Sequence, residues 1–263
     1  MTTQPETTAR LLITCPDRPG IVSAVTTFLF RHGVNINELD QHSTDPVGGK
    51  FFLRLEFQTP TLDVSREALT RAFAEQVAAP FEMDWRIAWA SDTPRMAILV
   101  SAHDHALMEL LWRYARQELR VRIPLVISNH GTLRAAVESF GVPFAHVPFS
   151  RETQAAAESQ MHALLDGKVD FIVLARYMRV LSADFVACYA QRIINIHHSF
   201  LPAFAGADPY QQAYDKGVKL IGATAHYVTA ELDQGPIIEQ DTARVSHRDE
   251  MDDLKRLGRD LER

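Results

Sequence analysis

Cysteine is scarce in this sequence. There are two in 263 residues, Cys15 and Cys188, far apart, with no Cys-x-x-Cys pair and no Cys/His cluster. That counts against a disulfide framework and a structural zinc site, and it fits a reducing cytoplasm. No apolar run approaches the ~20 residues of a membrane helix. The opening MTTQPETTAR is polar and lacks an apolar segment of the signal-peptide kind. Long basic runs are missing too, and the net charge is -6, which argues against nucleic acid as a main partner. Glycine-rich phosphate loops and His-Glu-x-x-His helices are likewise absent. What the chain has is a 46% hydrophobic share, enough for a sizeable core. Its length suits one or two domains.

Residues 1–90 read as one α/β unit. RLLITCP is a strand, DRPG a turn, and IVSAVTTFLFRHG has helical apolar spacing that stops at Gly33. VNINELDQHST and KFFLRLEFQ are strands around a DPVGG turn, VSREALTRAFAEQVAA is a helix, and FEMDWRIAWA is a last strand. The order βαββαβ is the ferredoxin-like arrangement. SDTP, residues 91–94, is a short polar linker. From residue 95 to 263, strands such as RMAILVSA, VDFIVLA and RIINIH alternate with helices, predicting a doubly wound, mostly parallel Rossmann-like sheet. Ligands of such sheets bind beyond the carboxyl ends of the strands.

IINIHHSF ends one of those strands. Alternation puts Asn195 and His197 on one face and His198 on the other. A neutral amide donor beside an acid/base suits acyl chemistry, in which an oxyanion forms and a leaving nitrogen needs a proton. Both residues equally suit the plain role of satisfied polar groups at a strand end. Asp233, in the turn of ELDQGPIIEQD, either holds His197 and a water or is simply good turn chemistry. GATAHYV places Gly222, Thr224 and His226 on one face, with His226 a supporting or core residue. His103 and His105 of HDH open a helix, where Asp104 is expected to cap rather than bind a metal. No metal site is expected.

The run NIHHSFLPAFAGADPYQQAYDKGVKLIGATAHYVTAELDQGPIIEQD resembles the core of the folate-dependent formyltransferase family. The family carries Asn-x-His on a strand, then Leu-Pro, then an Asp ahead of a Gly in a later turn. FIVLARYMRVLS is similar to its folate-lining loop, and ISNH at 127–130 adds to the likeness. The first unit, with DRPGIV after its first strand, resembles an ACT domain. An ACT domain followed by this catalytic domain is the arrangement of the formyltetrahydrofolate deformylase family.

The resemblance implies hydrolysis of 10-formyltetrahydrofolate to formate and tetrahydrofolate, in one-carbon and purine metabolism, with no cofactor. It implies that Asn195 donates to the oxyanion, that His197 assists that charge and the proton transfer, and that Asp233 holds the attacking water. The pterin would lie against Leu174, Met178, Arg179, Val180 and Leu181, with His226 beside it. Met178 and Leu181 would otherwise be read as core. LVSAHDHALM has no glycine where the nucleotide-accepting branch has its phosphate loop, so water is the expected acceptor. Transfer to a small acceptor, or folate sensing without turnover, are the alternatives. The ACT resemblance implies an amino-acid effector, glycine or methionine, at the turn Asp17 to Gly20 near Asn35, with a pure docking role as the alternative. It also implies a homo-oligomer. The family runs on beyond LKRLGRDLER, and Asp208 stands where a basic or amide residue is expected, facing solvent.

Overall fold

The structure is a computed structural model that describes residues 7–45, 48–60, 62–203 and 208–263. Part of the expected DPVGG turn, at 46 and 47, lies outside the described residues, as do residues 204–207 of the long motif. The chain divides after Thr93 into two compact units.

In the first unit the chain forms β1 (Thr8–Pro16), α1 (Ile21–Arg31), β2 (Asn35–Ser43), β3 (Lys50–Gln58), α2 (Arg66–Phe73) and β4 (Asp84–Trp89). The sheet is antiparallel in the order β2-β3-β1-β4, the ferredoxin-like arrangement. Alternate residues of β1, from Ala9 to Cys15, are buried under Val25 and Leu29 of α1 and Leu69 and Phe73 of α2. The second helix was expected to run on to Ala79. It instead widens into a π turn over Ala74–Ala78 and tightens over Ala79–Phe81. Pro80 has no N–H to continue the α ladder.

The second unit holds β5 (Met96–Val100), α3 (His105–Ala115), β6 (Val126–Ser128), α4 (Arg134–Glu138), β7 (Phe144–His146), α5 (Gln154–Leu165) and β8 (Phe171–Ala175). It continues with α6 (Ala183–Cys188), β9 (Ile193–His197), α7 (Pro209–Asp215), β10 (Leu220–Tyr227), β11 (Ile237–Arg244) and α8 (Met251–Leu261). The sheet order is β11-β10-β9-β8-β5-β6-β7. Pairs from β7 to β9 are parallel, and β10 and β11 are antiparallel additions. β5 is buried along its whole length because both faces are covered. Ala97 and Leu99 pack with α5 and α6, whereas Met96, Ile98 and Val100 pack with α3 and α4. β6 is shorter than VRIPLVISN suggested, because Pro124 cannot donate to a ladder.

After β5 the chain winds outward to β7, then returns to the other side of β5 with β8. Beyond the carboxyl ends of β8 and β9 the fold opens a crevice. Among the described residues no helix is long and apolar enough to cross a membrane.

Candidate active site

β9 and β10 bring the polar residues to one face. Asn195 pairs with His226 and His197 with Thr224 across the antiparallel ladder, so all four side chains share that face. A register shift between β10 and β11 falls at Ala225 and His226. Such bulges re-aim side chains next to sites. The turn after β10 carries Asp233 in left-handed backbone, φ 56°, which Asp tolerates through its short polar side chain. It is closed by Gly235, where any Cβ would strike the Tyr227 carbonyl.

These residues converge. His197 Nδ1 lies 3.5 Å from Asp233 Oδ1, and His226 Nε2 lies 3.8 Å from the same oxygen. The Asn195 amide nitrogen is 3.2 Å from His226 Nε2. His197 and Asp233 are each 7% exposed by side chain, so bulk water is largely excluded and electrostatics at this point are strengthened. They line a cavity of about 300 Å³. Its other walls include Leu174, Met178, Arg179, Val180 and Leu181, together with Tyr177, Val228 and Leu232. Leu174 and Leu181 are buried and double as core, but Met178 and Val180 are more than half exposed. Ordinary core packing does not explain those two, whereas an apolar rim for a flat ligand does.

The rim loop is tied at both ends. Ser101, just beyond β5, donates its N–H to the Arg176 carbonyl at 3.2 Å, and its hydroxyl accepts from Met178 N–H at 2.9 Å. That hydroxyl donates in turn to Asn129 Oδ1 at 2.7 Å. At the far end the buried Glu158 carboxylate accepts from the Ser182 N–H at 2.8 Å and from its hydroxyl. Ser182 also caps α6 by accepting from Phe185 N–H.

Comparison with known proteins gives these residues a context. The family described as formyl transferase matches residues 94–263, and the ACT domain family matches residues 9–74. The formyltetrahydrofolate deformylase of Mycobacterium tuberculosis is 54% identical over 254 residues, 97% of this chain and 82% of that protein. That of Bacillus subtilis is 52% identical, over 98% of this chain and 86% of its own. The crystal structure of a formyltetrahydrofolate deformylase from Pseudomonas syringae superposes with a TM-score of 0.94 at 46% identity, covering 99% of this chain and 87% of that one. The chain belongs to the formyltetrahydrofolate deformylase family. A glycinamide ribonucleotide transformylase from Symbiobacterium toebii, at 31% identity and a TM-score of 0.60, matches 65% of this chain.

For this deformylase-family chain several sequence expectations need correction. His198 was placed on the opposite face from His197, but it lies past the end of β9 and lines the same cavity. Asp104 sits at the start of α3 without a side-chain capping bond, because its φ of -99° and ψ of -21° lie outside the extended region that a capping side chain needs. Asn35 is not near the Asp17 turn. Ser43, at the other end of β2, donates to Asp17 at 2.5 Å, while Asn35 opposes Gln58. With ~3.3 Å per residue the two ends of β2 are about 26 Å apart. A cleft in the first unit is lined by Asp17, Gly20, Gln41, His42 and Ser43. Asp208 is exposed, at the start of α7.

Sequence reasoning missed a buried polar group beside the cavity. Arg176, the first residue after β8, has Nε 3.4 Å from Glu262 Oε2, and His105 Nε2 is 2.8 Å from the same oxygen. Burial alone would raise the Glu262 carboxyl, but the His105 bond, the Arg176 charge and the Tyr210 hydroxyl together lower it. Burial and then the Arg176 charge push the His198 imidazole down to about 3, so it is neutral at ordinary pH. HDH was the only hint of this group in the sequence.

Proposed function

We propose that this chain hydrolyses 10-formyltetrahydrofolate to formate and tetrahydrofolate. The observation that carries the reading is the meeting of Asn195, His197 and Asp233 at the wall of one apolar-rimmed cavity, with His197 and Asp233 3.5 Å apart. The pterin stacks on the rim from Leu174 to Leu181, and backbone groups of that tethered loop read its edge. Asp233 holds a water against the formyl carbon and takes up its proton together with His197. The tetrahedral oxyanion receives an Asn195 N–H. Such a donor strengthens as charge develops, which is where it lowers a barrier. The carbon–nitrogen bond then breaks, His197 protonates the departing folate nitrogen, and formate leaves.

An amide donor, an imidazole and a carboxylate supply all the charge and proton handling this reaction needs, so the reading calls for no metal or organic cofactor. Residues 94–263 are the catalytic part in this reading, and residues 1–90 are a regulatory ACT domain. Its effector is an amino acid, glycine or methionine being the first to try, held in the cleft at Asp17 and Gly20. The chain works as a homo-oligomer and, in keeping with its two distant cysteines, in the cytoplasm.

The deciding experiment measures formate release from 10-formyltetrahydrofolate with and without EDTA, alongside an Asp233→Asn variant. Asn keeps the left-handed turn while removing the charge. Chelator-resistant release that drops on the order of 10²–10⁴-fold in the variant is the expected result. No release from the parent protein sinks the reading.

A further inference from the structure

Several costly features of residues 94–263 converge on a place that the hydrolytic chemistry above does not use. Arg176 has φ at 60°, a left-handed backbone unfavourable to a bulky residue. Its side chain is nine-tenths buried, and Nε and Nη1 lack a hydrogen-bond acceptor among the described residues. Its counter-ion, Glu262, is held by His105 at 2.8 Å and by the Tyr210 hydroxyl at 2.6 Å. Glu262 reaches that position because α8 closes onto Tyr210 at Gly258, where any Cβ would collide with the phenol. A buried ion pair is a weak source of stability, since well-packed apolar side chains do as well. Backbone strain of this kind gathers at functional sites.

The location indicates the task. Arg176 lines the catalytic cavity together with His197 and His198. His105 lines a second cleft, also about 300 Å³, with Asp104, Glu109 and Trp112. The contiguous side chains Arg176, Glu262 and His105 therefore form a partition from one cavity to the other.

We propose that Arg176, held by Glu262 and His105, is a specificity-determining residue that closes the formyl site to amine acceptors and reserves it for water. The inference rests on the deformylase reading of the site. Water fits beside Asp233, but an amine carries a substituent that needs room behind its nitrogen. The partition fills that room on the His198 side. Once it is opened, the amine nitrogen bonds to the formyl carbon and the bond from that carbon to the folate nitrogen breaks. The folate nitrogen takes the proton that the amine loses, and a formylated amine leaves in place of formate.

The test is a partition ratio. Parent, Arg176→Gly and Glu262→Ala proteins receive 10-formyltetrahydrofolate with and without glycinamide, and NMR quantifies formate and N-formylglycinamide together. Glycine suits the left-handed backbone at 176, while the Glu262 change opens the partition and leaves the rim loop intact. The parent is expected to yield formate with only a trace of N-formylglycinamide. Either variant is expected to raise the formylglycinamide share at least about tenfold, equivalent to about 1.4 kcal/mol in favour of the amine. A merely structural role lowers both products together, and that result, or an unchanged share in a variant still releasing formate, overturns the proposal. If circular dichroism shows one variant misfolded, the other decides; misfolding of both overturns it as well. A parent that releases no formate refutes the deformylase reading instead.

Discussion

Asn195 donates to His226, and the direction of that bond is fixed by a third group. His226 Nδ1 lies 3.0 Å from the Tyr227 carbonyl oxygen. A carbonyl only accepts, so Nδ1 carries a proton, and in the neutral ring Nε2 then presents a lone pair. The Asn195 nitrogen, 3.2 Å away, therefore faces His226 and its oxygen does not. One N–H is spent on that bond and the other is left for the cavity.

His226 thus acts through Asn195. Asn195→Ala is expected to lower kcat about 10²–10³-fold, as loss of an oxyanion donor does. His226→Phe keeps the bulk and frees the amide to turn, so it lowers kcat by less. The double variant should be no slower than Asn195→Ala alone, since the two losses are one loss. Additive losses in steady-state kinetics would show that His226 has a task of its own.

The rim loop depends on Ser101, which the sequence did not single out. Its hydroxyl accepts from Met178 N–H and donates to Asn129, so Ser101→Ala leaves a partly buried N–H and a buried amide oxygen unserved. Removing one partner of a buried bond costs about 1–3 kcal/mol. The strain falls on the segment that receives the pterin. KM for the folate should rise by tenfold or more, using about 1.4 kcal/mol per decade, with kcat changed much less. A fall in kcat at constant KM would place Ser101 with the reacting atoms instead.

The legibility of this site follows the distance between partners. Asn195, His197 and His226 could be found because strand alternation is a local rule, and β9 and β10 keep it. Leu174 to Leu181 is one continuous stretch with a recognisable pattern. Asp233 could be named from its turn, but spacing could not say that the turn folds back to within 3.5 Å of His197. The Arg176 group was hidden for a different reason. His105 and Glu262 are 157 residues apart, and nothing in either neighbourhood predicts a buried bond between them. Asn35 failed because alternation says which face a residue is on, not which end of the strand meets the Asp17 turn.

Acid sensitivity should trace to His198. Burial and the Arg176 guanidinium hold it neutral to about pH 3, with Glu262 opposing and His197 and His103 assisting. In the unfolded chain it takes up a proton near pH ~6.5. The unfolded state therefore binds more protons between those values, and the stability this group contributes is full above ~6.5 and is lost progressively as pH falls toward about 3. Glu262, with its pKa lowered from 4.5, adds a loss of the same sign only below that value. His198→Asn should flatten the upper part of the decline in Tm with falling pH. An unchanged profile would mean that His198 is protonated in the native state.

Gly258 offers the sharpest test of how α8 is seated. Glycine inside a helix is about 0.8–1.0 kcal/mol worse than alanine, so propensity alone predicts that Gly258→Ala stabilises the protein. Packing predicts the reverse. A Cβ at 258 would enter the Tyr210 ring, and the ring is tethered through its hydroxyl to Glu262 at 2.6 Å, so it cannot swing aside without breaking that bond. Overpacking of this kind costs about 1–3 kcal/mol, which outweighs the propensity gain at the upper end and cancels it at the lower. The loss of the Tyr210 bond adds about 0.5–1.5 kcal/mol more on the unfavourable side. The variant should therefore unfold at lower urea concentration than the parent, and the drop caused by Gly258→Ala should be smaller in a Tyr210→Phe background, where the ring has lost its tether and can move aside. In a Tyr210→Ala background, itself less stable for want of the ring, Gly258→Ala should be neutral or stabilising, since the space is clear and the helix keeps its better residue. A variant more stable than the parent would mean that α8 is not held against Tyr210 in solution.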